Sequence, residues 1–475
     1  METLQRTANR GSISTGPYEI DNSLKFEADN SENLKWTDIS TYATSARKKT
    51  FSFSAWIKIT ETGVQRTIWA NATNGYLLLQ ADGQLKWQQS YGGSIKTLNT
   101  NRRFRDCGAW YHIIIAVDST QATEANRVRL YVNGVEETDL TSTTYPSQNA
   151  EAENVYENHH YLGAYSGSSI YWCGYMSDVY FISDAQITPS DVGEYDSDSG
   201  IWIPKKYTGS ISSPSYFLEF KDSSDLGTAT SGLDADTLNN IAAADQSVDS
   251  PTNNFATINI LHNQTSDSTY TEGATYAVNG QSQGWQPYIP TIAVTSGKWY
   301  FETQGGGSDM YLMTGMGDEG DLLEWGINQK YYGRSGSKSV AYYGGTGGNG
   351  LIYPAQSAPS PAVDYGSSDI IGCAVDIDNG YVYWHKNGTY INSGVPTSGS
   401  TGTGGTAIPT GGNSNGTYYL GAATYANSNM KFNYGGYTTI SISSAASDSN
   451  NYGVFEYAPP TGYYALCTKN LAEYG

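Results

Sequence analysis

His112-Ile113-Ile114-Ile115-Ala116-Val117-Asp118, followed after a polar interval by Arg127-Val128-Arg129-Leu130-Tyr131-Val132-Asn133-Gly134, is the stretch that decides the fold. The first run is apolar, rich in β-branched residues and too short for a helix, so it reads as a strand covered on both faces. In the second, Val128, Leu130 and Val132 share one face and Arg127, Arg129 and Tyr131 the other, the alternation of a half-buried strand. Asn133-Gly134 supplies the positive φ angles of a two-residue hairpin turn. The device recurs: Ile370-Ile371-Gly372-Cys373-Ala374-Val375-Asp376 turns through Asp378-Asn379-Gly380 into Tyr381-Val382-Tyr383-Trp384-His385-Lys386, and Asn387-Gly388 reverses the chain again. The intervals between the strands differ, so one local solution serves two different sandwiches.

A chain of 475 residues accommodates two such domains, each with its own core. With 53 Gly, 40 Tyr and 15 Pro and no long stretch of apolar residues at helical spacing, the chain is predicted to be all-β: two tandem antiparallel β-sandwiches with very few helices. Lys plus Arg number 26 against 46 Asp plus Glu, and the net charge of -20 would repel a phosphate backbone, which excludes nucleic acid as a partner. No run approaches the roughly 20 apolar residues of a membrane span, so no membrane insertion is expected. Met1 to Gly16 lacks the apolar core of a secretory signal, which predicts synthesis in the cytoplasm. Cys107, Cys173, Cys373 and Cys467 have no metal-ligand spacing; they are expected to be free buried thiols, with a Cys107 to Cys173 bridge as the alternative.

Residues 1–20 are polar and show no core period. They read either as a docking arm, with Leu4, Arg6, Asn9 and Arg10 as its contact residues, or as a plain disordered terminus. Strands then follow quickly, among them Leu24 to Ala28, the long alternation Phe51 to Ile59, Leu85 to Gln89 and Tyr171 to Ile182. Thr188-Pro189-Ser190-Asp191 fits a single helical turn with Thr188 as cap. Tyr216 to Phe220 reads as a strand of the first sandwich beside Leu24 to Ala28. The expected organisation is an arm at 1–20, a first sandwich at 21–225, an acidic polar linker at 226–250 and a second sandwich at 251–475.

Phe51-Ser52-Phe53-Ser54-Ala55-Trp56-Ile57, Ala109-Trp110-Tyr111-His112, Val128 to Gly134, Tyr161-Leu162-Gly163 and Gly174-Tyr175-Met176-Ser177-Asp178-Val179 together resemble the laminin-G and pentraxin-like branch of concanavalin A-type jelly rolls. That fold carries lectins, adhesion modules and glycosidases alike. Ser296 to Glu302, Ile371 to Asp376, Tyr381 to Gly388 and Lys431 to Gly435 resemble the SPRY sandwich, which implies recognition through loops. The jelly roll followed by the segment Asp249 to Thr257 and then the SPRY-like domain looks like virion-attached fibre or adhesin proteins of marine tailed bacteriophages, and the arm Leu4 to Gly16 and the stretch Gly200 to Gly209 also look like that group. The resemblance implies a location in the virion, other virion proteins as partners of the arm, and a host glycan or receptor as ligand. Fibres of this kind are commonly homo-oligomers, and no heptads set the number of chains here.

Chemistry-bearing constellations are few. The paired carboxylates that concanavalin A-type glycosidases place on one strand face are absent as a motif, and Glu136-Glu137 and Glu151-Ala152-Glu153 read as solvated acids. Asp318, Asp321 and Glu324 cluster in a loop and offer oxygen ligands to calcium; an ordinary acidic turn without a cofactor is the competing reading. Asp196-Ser197-Asp198-Ser199-Gly200 is a weaker loop of that kind. Trp325, Tyr331, Tyr332, Tyr342, Tyr343 and Tyr353 fall in or beside a Gly-rich segment of the second sandwich. As loop aromatics they would present flat apolar faces with polar tips to a glycan or protein surface, and strand-face packing is the alternative. The expectation is a non-enzymatic adhesin, with a decoration protein without receptor activity and a glycan depolymerase as alternatives.

Overall fold

In the computed structural model, which describes residues 18–475 apart from 38, 72–73, 157–158, 167–168, 263–267, 308–309, 321–330, 346–348 and 413, Trp110–Asp118 lies between Thr50–Ile59 and Val128–Val132. These strands centre one sheet of the first unit, residues 1–254. Its order is Val135–Glu136, Val128–Val132, Trp110–Asp118, Thr50–Ile59, Gly174–Ser183, Ser23–Phe26 and Gln246–Ser247, all antiparallel. The facing sheet runs Leu140–Thr144, Ser94–Arg103, Gln84–Tyr91, Tyr76–Leu79, Arg66–Asn71, His160–Leu162, Asn33–Trp36 and Thr237–Asn239. Phe51, Phe53, Ala55, Ile57 and Ile59 share their core with Ile113, Ile115 and Val117, and pack on Trp69, Leu77, Trp87 and Leu98 of the opposite sheet.

The prediction that His112 to Val117 is covered on both faces has a concrete cause. Ile114 and Ala116 turn away from the main core and, with Tyr131, Tyr180, Ile182 and Phe217, are buried under Ile187 and Val192 of the chain that follows Gly174–Ser183. That cover begins with a one-turn helix, Pro189–Val192, and the Thr188 N–H donates to Asp191 Oδ2 at 2.7 Å. The other α-helical segments among the described residues, Ser45–Lys49 and Thr468–Tyr474, are also short.

Two expectations about this unit are corrected. Residues 226–250 are no linker: Thr237–Asn239 pairs with Asn33–Trp36, Gln246–Ser247 pairs with Ser23–Phe26, and the Lys58 ammonium bonds the buried Asp249 carboxylate at 2.6 Å. The stretch looked polar because its strands are two or three residues long and its acids are spent on internal partners, such as Asp245 on Lys25 at 2.8 Å. The Tyr216–Leu218 strand does not lie beside Ser23–Phe26. Both pair with the same edge of Gly174–Ser183, at its opposite ends, on either side of an irregularity between Ser177 and Tyr180 where Asp178 has a φ of 45°. All four cysteines are free and buried, so the Cys107 to Cys173 bridge is not formed.

The second unit, residues 255–475, is again two sheets. One runs Ser268–Thr271, Tyr276–Asn279, Ser428–Asn433, Lys298–Gly307, Ile371–Asp376, Tyr381–Lys386 and Thr389–Tyr390; the other runs Trp285–Tyr288, Tyr418–Tyr425, Tyr311–Asp318, Ser339–Gly344 and Leu351–Tyr353. Trp299, Phe301, Ile371, Cys373, Val375 and Trp384 meet Leu312, Met316, Val340, Tyr342 and Leu420 between them.

The back of the larger sheet carries a buried polar chain. Gly388, of the Asn-Gly turn, donates its N–H to His385 Nδ1 at 3.1 Å. His385 Nε2 lies 2.7 Å from Tyr300 Oη, which donates to Glu302 Oε1 at 3.0 Å. Since the tyrosine proton goes to the carboxylate, the histidine is the neutral Nε2–H tautomer. Glu302 also accepts from Asn433 Nδ2 and from the backbone N–H groups of Glu456 and Tyr457 at 3.1 and 2.8 Å, which pins the returning chain to the sheet.

Candidate functional site

The segment read as a Gly-rich aromatic loop contains two strands, Ser339–Gly344 and Leu351–Tyr353, paired antiparallel with Tyr342 opposite Ile352. Successive side chains on a strand point to opposite faces, and this decides the fate of the predicted ligand residues. Tyr342 faces inward, is fully buried and donates its hydroxyl to Val363 O. Tyr343 faces outward. Tyr332 is also fully buried, bonding Tyr288 O at 3.0 Å, and it fits only because Gly421 has no side chain: a Cβ there would lie 2.5 Å from the Tyr332 hydroxyl. Tyr332 and Tyr342 are therefore packing residues, and their placement in a binding set is corrected. Trp325 lies outside the described residues.

Tyr331, Tyr343 and Tyr353 are brought together on the outer face of the five-stranded sheet, joined there by Trp285, Tyr311 and Tyr425. The rings form one contiguous array. Trp285 contacts Tyr331, Tyr343 and Tyr425 at centroid distances of 5.3, 5.6 and 5.5 Å; Tyr311 contacts Tyr425 at 5.3 Å, and Tyr343 contacts Tyr353 at 5.3 Å. Strand register sets this arrangement: Tyr425 is opposite both Trp285 and Tyr311, and Met313 is opposite both Tyr343 and Ala423. Small residues at Ala341 and Ala423 keep the floor low enough for the larger rings to lie across it.

All six rings but Tyr343 are half-buried, and Tyr343 is nearly covered by its neighbours. Burial raises the hydroxyl pKa of Tyr343 and Tyr353, so both are proton donors at neutral pH. Among the described residues, no hydrogen bond takes up the Trp285 indole N–H or the hydroxyls of Tyr311, Tyr331, Tyr343, Tyr353 and Tyr425. A rigid aromatic plate with unspent polar tips is suited to stacking on the apolar face of a pyranose while bonding its hydroxyls. Sequence reasoning missed Trp285, Tyr311 and Tyr425 because it sought a loop. The available signal was Tyr419-x-Gly421-x-Ala423-x-Tyr425, a strand face whose small residues leave room for a neighbour's rings.

Asp318 is fully buried and its carboxylate is filled by the protein. Oδ1 accepts from the N–H groups of Gly320 and Asn415 at 3.0 and 3.1 Å, and Oδ2 from Ser414 Oγ at 2.6 Å and Gly416 N–H at 3.3 Å. It acts as a clamp on residues 414–416, which corrects its reading as a calcium ligand; Asp321 and Glu324 lie outside the described residues. Asp196 likewise spends Oδ1 on the N–H groups of Asp198 and Ser199 and on Ser199 Oγ. Glu136 and Glu137 are paired with Arg129 and Arg102 at 3.4 and 2.7 Å. The docking residues Leu4, Arg6, Asn9 and Arg10 lie outside the described residues.

A comparison with curated proteins found no match. Similar solved structures include a candidate carbohydrate binding protein from Bacteroides ovatus, 14% identical with a TM-score of 0.27, covering 41% of this chain. The chain spans 62% of that protein's length. The heptameric SAP-like pentraxin of Limulus polyphemus is 16% identical, with a TM-score of 0.24, over 36% of this chain and 78% of its own. The SPRY domain of human HERC1 is 13% identical, with a TM-score of 0.25, over 36% of this chain and 96% of its own. Residues 29–193 match the model of the Concanavalin A-like lectin/glucanases superfamily, and the first unit accordingly carries a concanavalin A-like, laminin-G-type domain.

Proposed function

We propose that this chain is a non-catalytic adhesin of a tailed-bacteriophage virion, a fibre component that binds a host-surface glycan. The observation that carries the binding reading is the array of Trp285, Tyr311, Tyr331, Tyr343, Tyr353 and Tyr425, whose rings are fixed by one another and whose polar tips no described protein group takes up. The concanavalin A-like match over residues 29–193 supports a carbohydrate ligand. The array offers indole N–H and phenol groups, which bind sugars, and none of its six side chains is a carboxylic acid or an imidazole that could move a proton at a glycosidic bond. The virion location and the arm's virion partners rest on the order of sequence segments, from the arm through the jelly roll to the SPRY-like sandwich.

The test is threefold. The purified chain is passed over immobilised surface polysaccharide of candidate hosts, the eluate is assayed for new reducing ends, and purified particles are analysed for the chain by mass spectrometry. Retention without sugar release, together with presence in the particle, is expected. Sugar release would make it a depolymerase. Absence of retention on every host surface, with the chain present in the particle, would make it a decoration protein.

A further inference from the structure

The first unit holds a separate cleft of about 640 Å³, in the roughly 300–1,000 Å³ range of small-ligand sites. Its floor is the Trp202 indole. This ring lies flat against two glycines: a Cβ on Gly134 would come 2.5 Å from it, and one on Gly193 2.2 Å. Trp202 Nε1 donates to His112 Nδ1 at 3.0 Å, and His112 Nε2 meets Ser54 Oγ at 2.8 Å, so the buried imidazole fixes the ring in plane and position. Trp202 is 6% exposed, and the reach of the cleft comes from Tyr195, which stands edge-on to it at 4.9 Å, is 53% exposed and donates to Asn133 O at 3.3 Å. An exposed tyrosine held at its base by a locked tryptophan and at its tip by a backbone carbonyl loses little entropy when a ligand covers it.

The polar rim sets the ligand class. Glu136, Glu194 and Lys205 line the cleft. Lys205 is engaged with Ser190 O at 3.0 Å and Glu136 with Arg129 at 3.4 Å, whereas Glu194 has no hydrogen bond to a side chain and no ion pair among the described residues. A half-buried carboxylate beside an exposed aromatic ring accepts hydrogen bonds from the hydroxyls of a sugar stacked on that ring, and it repels an anionic one.

We propose that this cleft binds a pyranose residue of a neutral polysaccharide, with the sugar stacked on Tyr195 over Trp202 and a hydroxyl donated to Glu194. The proposal rests on the glycan-binding reading and adds a second site to it, in a unit other than the one that carries the six-ring array. Its test is affinity gel electrophoresis of the full chain in gels containing dextran, mannan, agarose or, as the anionic control, alginate. Retardation by at least one neutral polymer is expected, with Tyr195→Ala and Glu194→Gln each weakening it about tenfold and Trp285→Ala weakening a separable component. Unchanged retardation in both cleft variants, with loss in Trp285→Ala, overturns the cleft alone. Retardation of the wild type by no polymer overturns the cleft and the glycan reading together, and retardation by alginate alone overturns the neutral-ligand assignment. Thermal melts of both surface variants, expected to match the wild type, separate lost binding from lost folding.

Discussion

Lys58 Nζ and Asp249 Oδ2 are 2.6 Å apart, and neither side chain has more than 1% of its surface exposed. Lys58 also donates to Asn254 Oδ1 at 2.8 Å, and Asp249 accepts from Trp110 Nε1 at 3.1 Å, so the pair is built into a network. Removing one member leaves the other charge buried and unmatched, which typically costs about 3–5 kcal/mol. Asp249→Ala is expected to lower the unfolding free energy of the first unit by that amount in urea titration. Lys58→Met combined with Asp249→Leu should cost less than either single change, because no charge is stranded; a double variant less stable than both singles would refute the account.

Glu302 gathers four donors, two of them backbone N–H groups of Glu456 and Tyr457. Glu302→Leu keeps the bulk and removes the acceptors, leaving buried donors unpaired at roughly 1–3 kcal/mol each before relaxation. The expected readout is local: hydrogen exchange at Glu456 and Tyr457 accelerates, while amides of the Ile371–Asp376 strand stay protected. Equal acceleration of both would show that the returning chain is held by something else.

The pH dependence of the first unit has two opposed limbs. Burial lowers the His112 pKa from 6.5 to about 3, so below pH 6.5 the unfolded chain takes up a proton that the folded chain refuses, and stability falls as pH drops toward 3. The limiting slope is about 1.4 kcal/mol per pH unit. Asp178 runs the other way. Burial raises it from 3.8 to about 8, with the Glu219 charge adding to the rise and the Tyr18 hydrogen bond and the charges of Lys221 and Lys206 opposing it. The folded chain keeps that proton after the unfolded chain has lost it, so this contribution is full below about pH 4 and is lost as pH rises through 8. Melting temperatures across pH 4 to 9 should therefore show a shallower acid limb in His112→Gln and a shallower decline from pH 5 to 8 in Asp178→Asn. Wild-type slopes in both variants would sink the assignment.

Tyr332 and Tyr353 separate structure from binding. Tyr332→Ala opens a cavity in a fully buried site and should cost about 3–5 kcal/mol, read by thermal or urea melts. Tyr353→Ala removes a half-buried ring from the array and should weaken glycan retention about five- to tenfold with little change in melting temperature. Reversal of these two effects would mean that the array is core and the sugar site lies elsewhere.

The strands that bury alternate residues over a long run were legible in the sequence. Phe51 to Ile59 and Val128 to Val132 face the core as their alternation requires, and Ile114 and Ala116 find the second cover that an unbroken apolar run demands. What was not legible depends on pairing between distant segments. Tyr342 and Tyr343 are adjacent and alike in sequence, and only the register with Met313 and Ile352 sends one inward and the other outward. Asp249 looked like a linker acid because its partner is far away in sequence at Lys58. Trp285, Tyr311 and Tyr425 come from three separate strands, and no local pattern brings them together.

The pairing of Gln246–Ser247 with Ser23–Phe26 also bears on how the first unit is made. Its first strand emerges early from the ribosome, yet the neighbour that closes it and the carboxylate that neutralises Lys58 are translated last. The apolar back of Trp110–Asp118 likewise waits for the cover that carries Ile187 and Val192. A nascent chain stalled with residue 225 clear of the exit tunnel should be cut readily by protease, and one stalled with residue 254 clear should resist. Equal resistance at both points would mean that the jelly roll completes its fold without its closing strand.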